Sequence, residues 1–260
     1  MAVIVRVGSE LAVVPHLSVV VPAYNEGRRI GSTLETIRRY FETQPYAVEL
    51  VVVDDGSRDD TVEVARRALA GFPRGQLISY RPNRGKGHAV RTGIVATRGE
   101  YVLFTDADLS TPIGEVERAF DLVRQGHDLV LGSRAAGEVR VKQPLYRRLA
   151  TKLFMVARDL IVGDTGVVDT QCGFKLFRGP VARDLFARQR VDRFMFDAET
   201  LFLAGRLGYR YVEMPVAWAD VPGSKVRVVR GALELLPELL SIRLRHGHLR
   251  SADARASRGT

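Results

Sequence analysis

Five short apolar runs recur between Leu17 and Gly132, at positions 17–21, 50–53, 77–80, 101–105 and 128–132, and each one enters a polar loop. That rhythm limits the fold more than any other feature of the chain. The runs are rich in valine, isoleucine, leucine and aromatics and have the length of buried strands. Between them lie segments with helical spacing: Ile30, Leu34, Ile37 and Phe41; Val62, Ala65 and Leu69; Val90, Ile94 and Val95; Val116, Phe120 and Val123. Alternation of this kind predicts an α/β fold with a doubly wound, mostly parallel sheet, and right-handed crossovers bring the strand-end loops to one edge. Pro22 is expected to stop the first strand. Ser57 and Asp60 have capping-box spacing for the second helix, and Thr111-Pro112 reads as a cap with proline at the first helical position.

The loops carry the chemistry. Tyr101-Val102-Leu103-Phe104-Thr105 runs into Asp106-Ala107-Asp108, two carboxylates at the end of a strand, where open α/β sheets bind ligands. Paired hard oxygens suit Mg²⁺ or Mn²⁺ completed by substrate phosphate and water, although a solvated acidic loop has the same pattern. Asp54-Asp55-Gly56-Ser57 repeats the arrangement on the second strand. Asn83-Arg84-Gly85-Lys86-Gly87-His88 opens a helix; its glycines would let backbone approach a ligand, and Lys86 is placed to meet an anion. It lacks the spacing of a Walker A loop.

With 260 residues, 46% of them hydrophobic and 27% charged, the chain is long enough for one large domain with appendages. A formal charge of +9 favours partners that carry phosphate: nucleic acid, an anionic membrane surface or phosphorylated small molecules. The single cysteine, Cys172, excludes an intramolecular disulfide, fits a reducing compartment and reads as a small buried hydrophobe. Neither a signal peptide nor a run of ~20 apolar residues is visible, so a soluble or peripheral protein is expected.

Two segments are basic and amphipathic. Residues 140–162 interleave Lys142, Arg147, Arg148, Lys152 and Arg158 with leucines and Phe154, and residues 229–249 interleave Arg230, Arg243 and Arg245 with Leu233, Leu236, Leu239, Leu240, Ile242 and Leu244, with a break or restart expected at Pro237. Each could lie on an anionic bilayer or pack on the sheet with its basic stems snorkelling, and the presence of two such segments favours the bilayer. Between them, Asp169-Thr170-Gln171-Cys172-Gly173-Phe174-Lys175 and Arg193-Phe194-Met195-Phe196-Asp197-Ala198-Glu199 set acids and amides beside aromatics and cations.

In order and approximate spacing, Pro22-Ala23-Tyr24-Asn25-Glu26, Val53-Asp54-Asp55-Gly56-Ser57, Arg84-Gly85-Lys86-Gly87 and Asp106-Ala107-Asp108 resemble the nucleotide-sugar motifs of the family 2 glycosyltransferases. Residues 169–177, Phe196-Asp197-Ala198-Glu199 and Gly223-Ser224-Lys225-Val226-Arg227 are similar to the dolichyl- or polyprenyl-phosphate sugar synthases, the glucosyl branch first and the mannosyl branch next. The resemblance implies a GT-A-like fold over residues 17–228, after an N-terminal extension at 1–16 and before basic C-terminal helices at 229–250 and a disordered tail at 251–260. It also implies an inverting hexosyl transfer from a UDP- or GDP-sugar to a polyprenyl phosphate, at the cytoplasmic face of a membrane.

In that scheme Pro22, Ala23, Tyr24, Glu26 and Asp54 hold the nucleotide with Asp55 beside them, Lys86 lies near the diphosphate or the base loop, and Asp106 and Asp108 bracket Mg²⁺ or Mn²⁺. Some relatives add a glutamine ligand where this chain has Ser110. Arg134, Lys175, Lys225 and Arg227 form a cationic clamp. Asp169 orients the acceptor or acts as base, with Gln171 beside it and Asp197 and Glu199 behind. Three rivals are a transferase with a soluble or saccharide acceptor, a sugar-1-phosphate nucleotidyltransferase, which would need a Gly-rich phosphate loop after the first strand, and a nucleic-acid-binding module. The last fits poorly because the basic residues concentrate on amphipathic segments, so no nucleic-acid partner is expected. Oligomeric state is not readable.

Overall fold

The computed structural model describes residues 3–7, 14–134, 158–159, 163, 166–219, 231–247 and 249. Among the described residues eight strands form one sheet: β1 (Val3–Val7), β2 (Leu17–Ala23), β3 (Val48–Asp54), β4 (Gly75–Ser79), β5 (Tyr101–Thr105), β6 (Leu129–Ser133), β7 (Phe174–Arg178) and β8 (Tyr211–Pro215), in the order β1-β4-β3-β2-β5-β7-β6-β8. The helices whose bounds lie in the described residues are α1 (Gly27–Glu42), α2 (Thr61–Leu69), α3 (Lys86–Ala96), α4 (Glu115–Arg124), α5 (Gly179–Arg188), α6 (Phe196–Leu207) and α7 (Gly231–His246).

The sheet is doubly wound. Val19, Val21, Leu50, Val52 and Leu103 point to one face and pack under α1, α2 and α4. Val20, Val51, Val53, Val102 and Phe104 point to the other, under α3, α5 and α6. This is the alternation of a strand read from both sides, and it explains why the runs look continuously apolar. The expected helical stripe Ile30, Leu34, Ile37 and Phe41 is buried as a set.

Three strands escaped the sequence reading. β1 pairs antiparallel with β4 inside the stretch expected to be an extension. β7 enters antiparallel between β5 and β6, with Thr105 opposite Phe174 and Leu131 opposite Lys175, and β8 closes the sheet parallel to β6. The fifth predicted strand is therefore not the neighbour of the fourth. Because β7 runs backwards, its start meets the end of β5, which brings residues 169–173 to the edge where the acids lie.

Local signals were corrected by tertiary contacts. Pro22 does not stop β2, which continues to Ala23 opposite Asp54. The Ala23 carbonyl accepts from Asp55 N on the β3 side, so the missing N–H of Pro22 falls toward β5, where pairing has ended at Val20. Ser57 does not cap α2: its hydroxyl accepts from Asn25 N at 2.8 Å, and the helix starts at Thr61. Thr111-Pro112 precedes a turn, and α4 starts at Glu115. Pro237 lies inside an unbroken α7, and Leu239 and Ile242 of that helix pack with Val191, Met195, Ala198 and Phe202. Most of the basic segment at 140–162, Lys225, Arg227 and the tail at 251–260 lie outside the described residues.

Gly93 lets α3 lie directly on the sheet. A Cβ there would sit 2.5 Å from Val20 Cγ1 and 2.9 Å from Val53 Cγ2, both in buried strands. Gly93→Ala should therefore cost about 1–3 kcal/mol through overpacking. Chemical denaturation checks this, and an unchanged midpoint would contradict the packing.

Candidate active site

The carboxyl ends of β2, β3 and β5 and the start of α3 enclose a cavity of about 370 Å³. Pro22, Ala23, Tyr24, Glu26, Asp55, Lys86, Asp106 and Asp108 all line it. Sequence positions 22 to 108 are gathered there because β2, β3 and β5 are parallel and adjacent. Arg29, Asn83, Arg193 and Phe194 also line the cavity and were not singled out from the sequence as site residues. Arg29 follows the first loop by one helical turn and forms an ion pair with Glu26 at 2.7 Å.

Asp106 Oδ1 meets Lys86 Nζ at 2.7 Å. Burial pushes the Lys86 ammonium down, but Asp106, Asp197 and Asp108 outweigh it and hold the group above its ordinary value, so it is charged at neutral pH. Asp108 Oδ1 accepts from Ser110 N at 3.0 Å, a turn that faces the serine backbone toward the acid. Leu109, between them, takes a positive φ of 49°. Gly173 seals the other side: a Cβ there would lie 1.9 Å from Asp106 Oδ2, and Asp106 N donates to the Gly173 carbonyl at 3.0 Å.

Asp106 and Asp108 put hard carboxylate oxygens on one turn at the cavity, a donor chemistry that could hold a divalent ion taking its remaining ligands from phosphate and water. Among the described residues no group of three or more His, Cys, Asp or Glu offers an all-protein metal cage. The acids of the second strand do different work. Asp54 is fully buried, accepts from Ser57 N at 3.1 Å and Ser79 Oγ at 2.8 Å, and does not line the cavity. Asp55 accepts from Asn83 Nδ2, Arg84 N and Gly85 N at 2.7–2.9 Å, so it shapes the loop that delivers Lys86.

The glycines of that loop serve the chain's own backbone. A Cβ at Gly85 would meet the Asp192 carbonyl at 2.5 Å, and one at Gly87 would meet the Val191 carbonyl at 2.7 Å. Gly87 N and His88 N donate to the Arg193 and Asp192 carbonyls. The first turn of α3 is thus occupied by residues 191–193 rather than open to a ligand, and the same loop presents Arg193 and Phe194 to the cavity.

Behind the cavity, Lys175 is 1% exposed; its Nζ lies 2.6 Å from Asp197 Oδ1 and donates to the Cys172 carbonyl at 2.6 Å. Burial drives the Asp197 carboxyl above its usual range against the pull of Lys175 and Lys86. Lys175 is therefore turned into the core and not presented as a clamp. Glu199 is fully buried and accepts from Arg190 N, Val191 N and His246 Nε2. It fastens the 190–195 loop to α7.

Asp169 lies at the mouth of β6. It receives Arg134 N, Nε and Nη2 at 2.7–3.0 Å and Gln171 N at 3.2 Å. Burial pushes its carboxyl up, but Arg134 overrides burial and holds it below the ordinary carboxylate range. Gln171 Nε2 is buried with no hydrogen-bond partner among the described residues. Cys172 is buried, as its composition reading expected.

The family model of glycosyl transferase family 2 matches residues 18–186, which include every residue that lines this cavity except Arg193 and Phe194. The chain belongs to glycosyl transferase family 2. This glycosyltransferase is 34% identical over 241 residues to a dolichyl-phosphate beta-glucosyltransferase of Trichomonas vaginalis, covering 89% of this chain and 74% of that protein. It is also 34% identical over 245 residues to the dolichyl-phosphate beta-glucosyltransferase of Homo sapiens, covering 89% and 76%.

Solved structures agree on the GT-A fold. Glucosyl-3-phosphoglycerate synthase of Mycobacterium tuberculosis, in complex with Mn²⁺, UDP and glucosyl-3-phosphoglycerate, superposes with a TM-score of 0.58 at 23% identity, over 90% of this chain and 80% of that one. A mannosyltransferase of Pyrobaculum calidifontis, in complex with GDP-mannose and Mn²⁺, gives 0.57 at 21%, over 96% and 77%. Among the described residues no helix is long and apolar enough to cross a membrane.

The buried lysine–aspartate pair generates a stability test. Lys175→Met strands Asp197 and should cost roughly 3–5 kcal/mol, whereas Lys175→Met with Asp197→Leu should recover most of the loss. Equilibrium unfolding of the three proteins checks it. A double variant as unstable as the single one would mean that the pair is not the source.

Proposed function

We propose that this glycosyltransferase moves glucose from a nucleoside diphosphate glucose to the phosphate of dolichol or a related polyprenol, with inversion, using Mg²⁺ or Mn²⁺, as a peripheral protein at the cytoplasmic face of a membrane. The observation that carries the reading is the cluster of Lys86, Asp106 and Asp108 at one cavity edge, in a chain whose relatives are dolichyl-phosphate beta-glucosyltransferases over nearly its whole length.

The chemistry needs charge more than a base. A sugar leaves its diphosphate as the acceptor oxygen closes on C1 from the opposite face, so negative charge grows on the diphosphate. Lys86, kept charged by its acids at the cavity, would meet that charge and contribute preorganised stabilisation on the order of a few kcal/mol. A divalent ion held by Asp106 and Asp108 would neutralise the same leaving group. In this reading Tyr24, Glu26 and Arg29 hold the nucleoside of the donor, and Arg193 and Phe194 line the same cavity.

An acceptor phosphate is already ionised at neutral pH and requires no strong base. Asp169, saturated by four donors and acidified by Arg134, suits positioning: it fixes the Arg134 guanidinium for the acceptor phosphate. Gln171 supplies an unpartnered amide nearby. In this reading Lys175 and Asp197 act behind Lys86 rather than on substrate, while Lys225 and Arg227 stay candidates for the acceptor clamp.

Purified protein given labelled UDP-glucose, Mn²⁺ and a short polyprenyl phosphate in detergent should yield label extractable into organic solvent, lost on chelation. GDP-mannose in the same assay tests the sugar and base together. Label recovered only as free glucose, or only on soluble acceptors, contradicts the acceptor assignment. Asp169→Asn should lower kcat by about a hundredfold or more while leaving the KM for the donor within about threefold. Equal losses in both would move Asp169 out of the acceptor side.

A further inference from the structure

A second cavity, of about 290 Å³, opens between α5 and the C-terminal end of α7, lined by Arg188, Arg190, Arg245 and His246 with Asp184 as its acid. Asp184 is already engaged: Arg188 Nε holds one oxygen at 2.9 Å and the Tyr209 hydroxyl holds the other at 3.0 Å. His246 is committed to Glu199 at 2.6 Å. Arg245 lends one nitrogen to the Arg190 carbonyl, also at 2.6 Å. Among the described residues the Arg190 guanidinium has no partner, and its backbone alone is bonded. Three guanidiniums therefore face an open volume against one neutralised acid, which is the chemistry of a phosphate site.

The neighbouring surface narrows the occupant. On α7, Leu239, Ile242 and His246 face the body of the protein, whereas Leu240 is 53% and Leu244 is 85% exposed. They stand one helical turn apart on one side, with Arg245 on the adjoining flank, about 100° around the axis from Leu244. Free phosphate would satisfy the arginines and leave the leucines in water; a bilayer with anionic headgroups satisfies both. The placement adds a third point. Residues 190–194 run from this cavity, at Arg190, to the wall of the first cavity, at Arg193 and Phe194.

We propose that the cavity among Arg188, Arg190 and Arg245 binds the phosphate of an anionic lipid headgroup while Leu240 and Leu244 enter the interface, making this edge the surface by which the protein sits on a membrane. Its test needs neither donor nor polyprenyl phosphate, so it fails or stands apart from the acceptor assignment above.

Flotation with phosphatidylcholine vesicles, with and without phosphatidylglycerol, reads the proposal directly. The wild-type chain should float with the anionic vesicles and stay behind with neutral ones. Arg190→Gln, which breaks no side-chain hydrogen bond or ion pair among the described residues, and Leu240→Ser with Leu244→Ser should each weaken flotation roughly fivefold to tenfold at unchanged thermal unfolding. Variants that float like wild type would overturn the proposal and place the membrane contact elsewhere. Inorganic phosphate that raises the melting temperature of wild type but not of Arg190→Gln, without flotation of either, would also overturn it by marking a site for soluble phosphate.

Discussion

Two lysine–aspartate pairs meet at Phe104, the last aromatic of the central strand, and the candidate site depends on both. Lys86 and Lys175 each lie within cation–π distance of its ring, 5.3 and 5.7 Å from the centroid. Lys86 faces the cavity with Asp106; Lys175 is sealed in the core with Asp197. The buried pair sets Asp197 behind the half-buried one, in surroundings where unpaired charge is costly. That gives Lys86 three acids in range and keeps it cationic despite its own desolvation.

The carboxyl-terminal half acts on the site from behind. Glu199 takes the N–H groups of Arg190 and Val191, Glu238 takes Met195 N at 3.1 Å, and His246 closes on Glu199. Gln189 adds bonds from its amide to the Gly87 and Val191 carbonyls. Through these contacts α7 holds the 189–195 loop, and the loop in turn holds the first turn of α3, where Lys86 begins. An amphipathic helix read from sequence as an appendage is thus tied to the candidate site, while its exposed leucines lie on another side.

The parallel half of the sheet and its loops were legible because each strand stood next to its own helix, and the pattern of acids at strand ends survived folding. What escaped was non-local. β7 and β8 are short, lie far along the chain from their partners, and carry charged residues such as Lys175 and Glu213 inside the strand; neither advertises itself by alternation. The fates of Lys175 and Glu199 were equally hidden. Both residue types suggest exposure, and only the packing of α6 and α7 shows them buried and paired. Asp54 and Asp55 show a subtler limit: two adjacent acids at one strand end divide between holding the turn and lining the cavity. Arg193 and Phe194 did stand in a segment marked by its composition, but nothing local indicated that the glycines at 85 and 87 would receive that loop.

The most direct measurement is titration of Mn²⁺ followed by electron paramagnetic resonance, with UDP-glucose present. If Asp106 and Asp108 are the protein's hold on the ion that bridges the diphosphate, wild type should bind Mn²⁺ in a donor-dependent way. Asp108→Ala, with unchanged thermal unfolding, should then leave the spectrum of the Mn²⁺–donor complex free in solution. Donor-dependent Mn²⁺ binding by Asp108→Ala as tight as that of wild type would contradict the assignment.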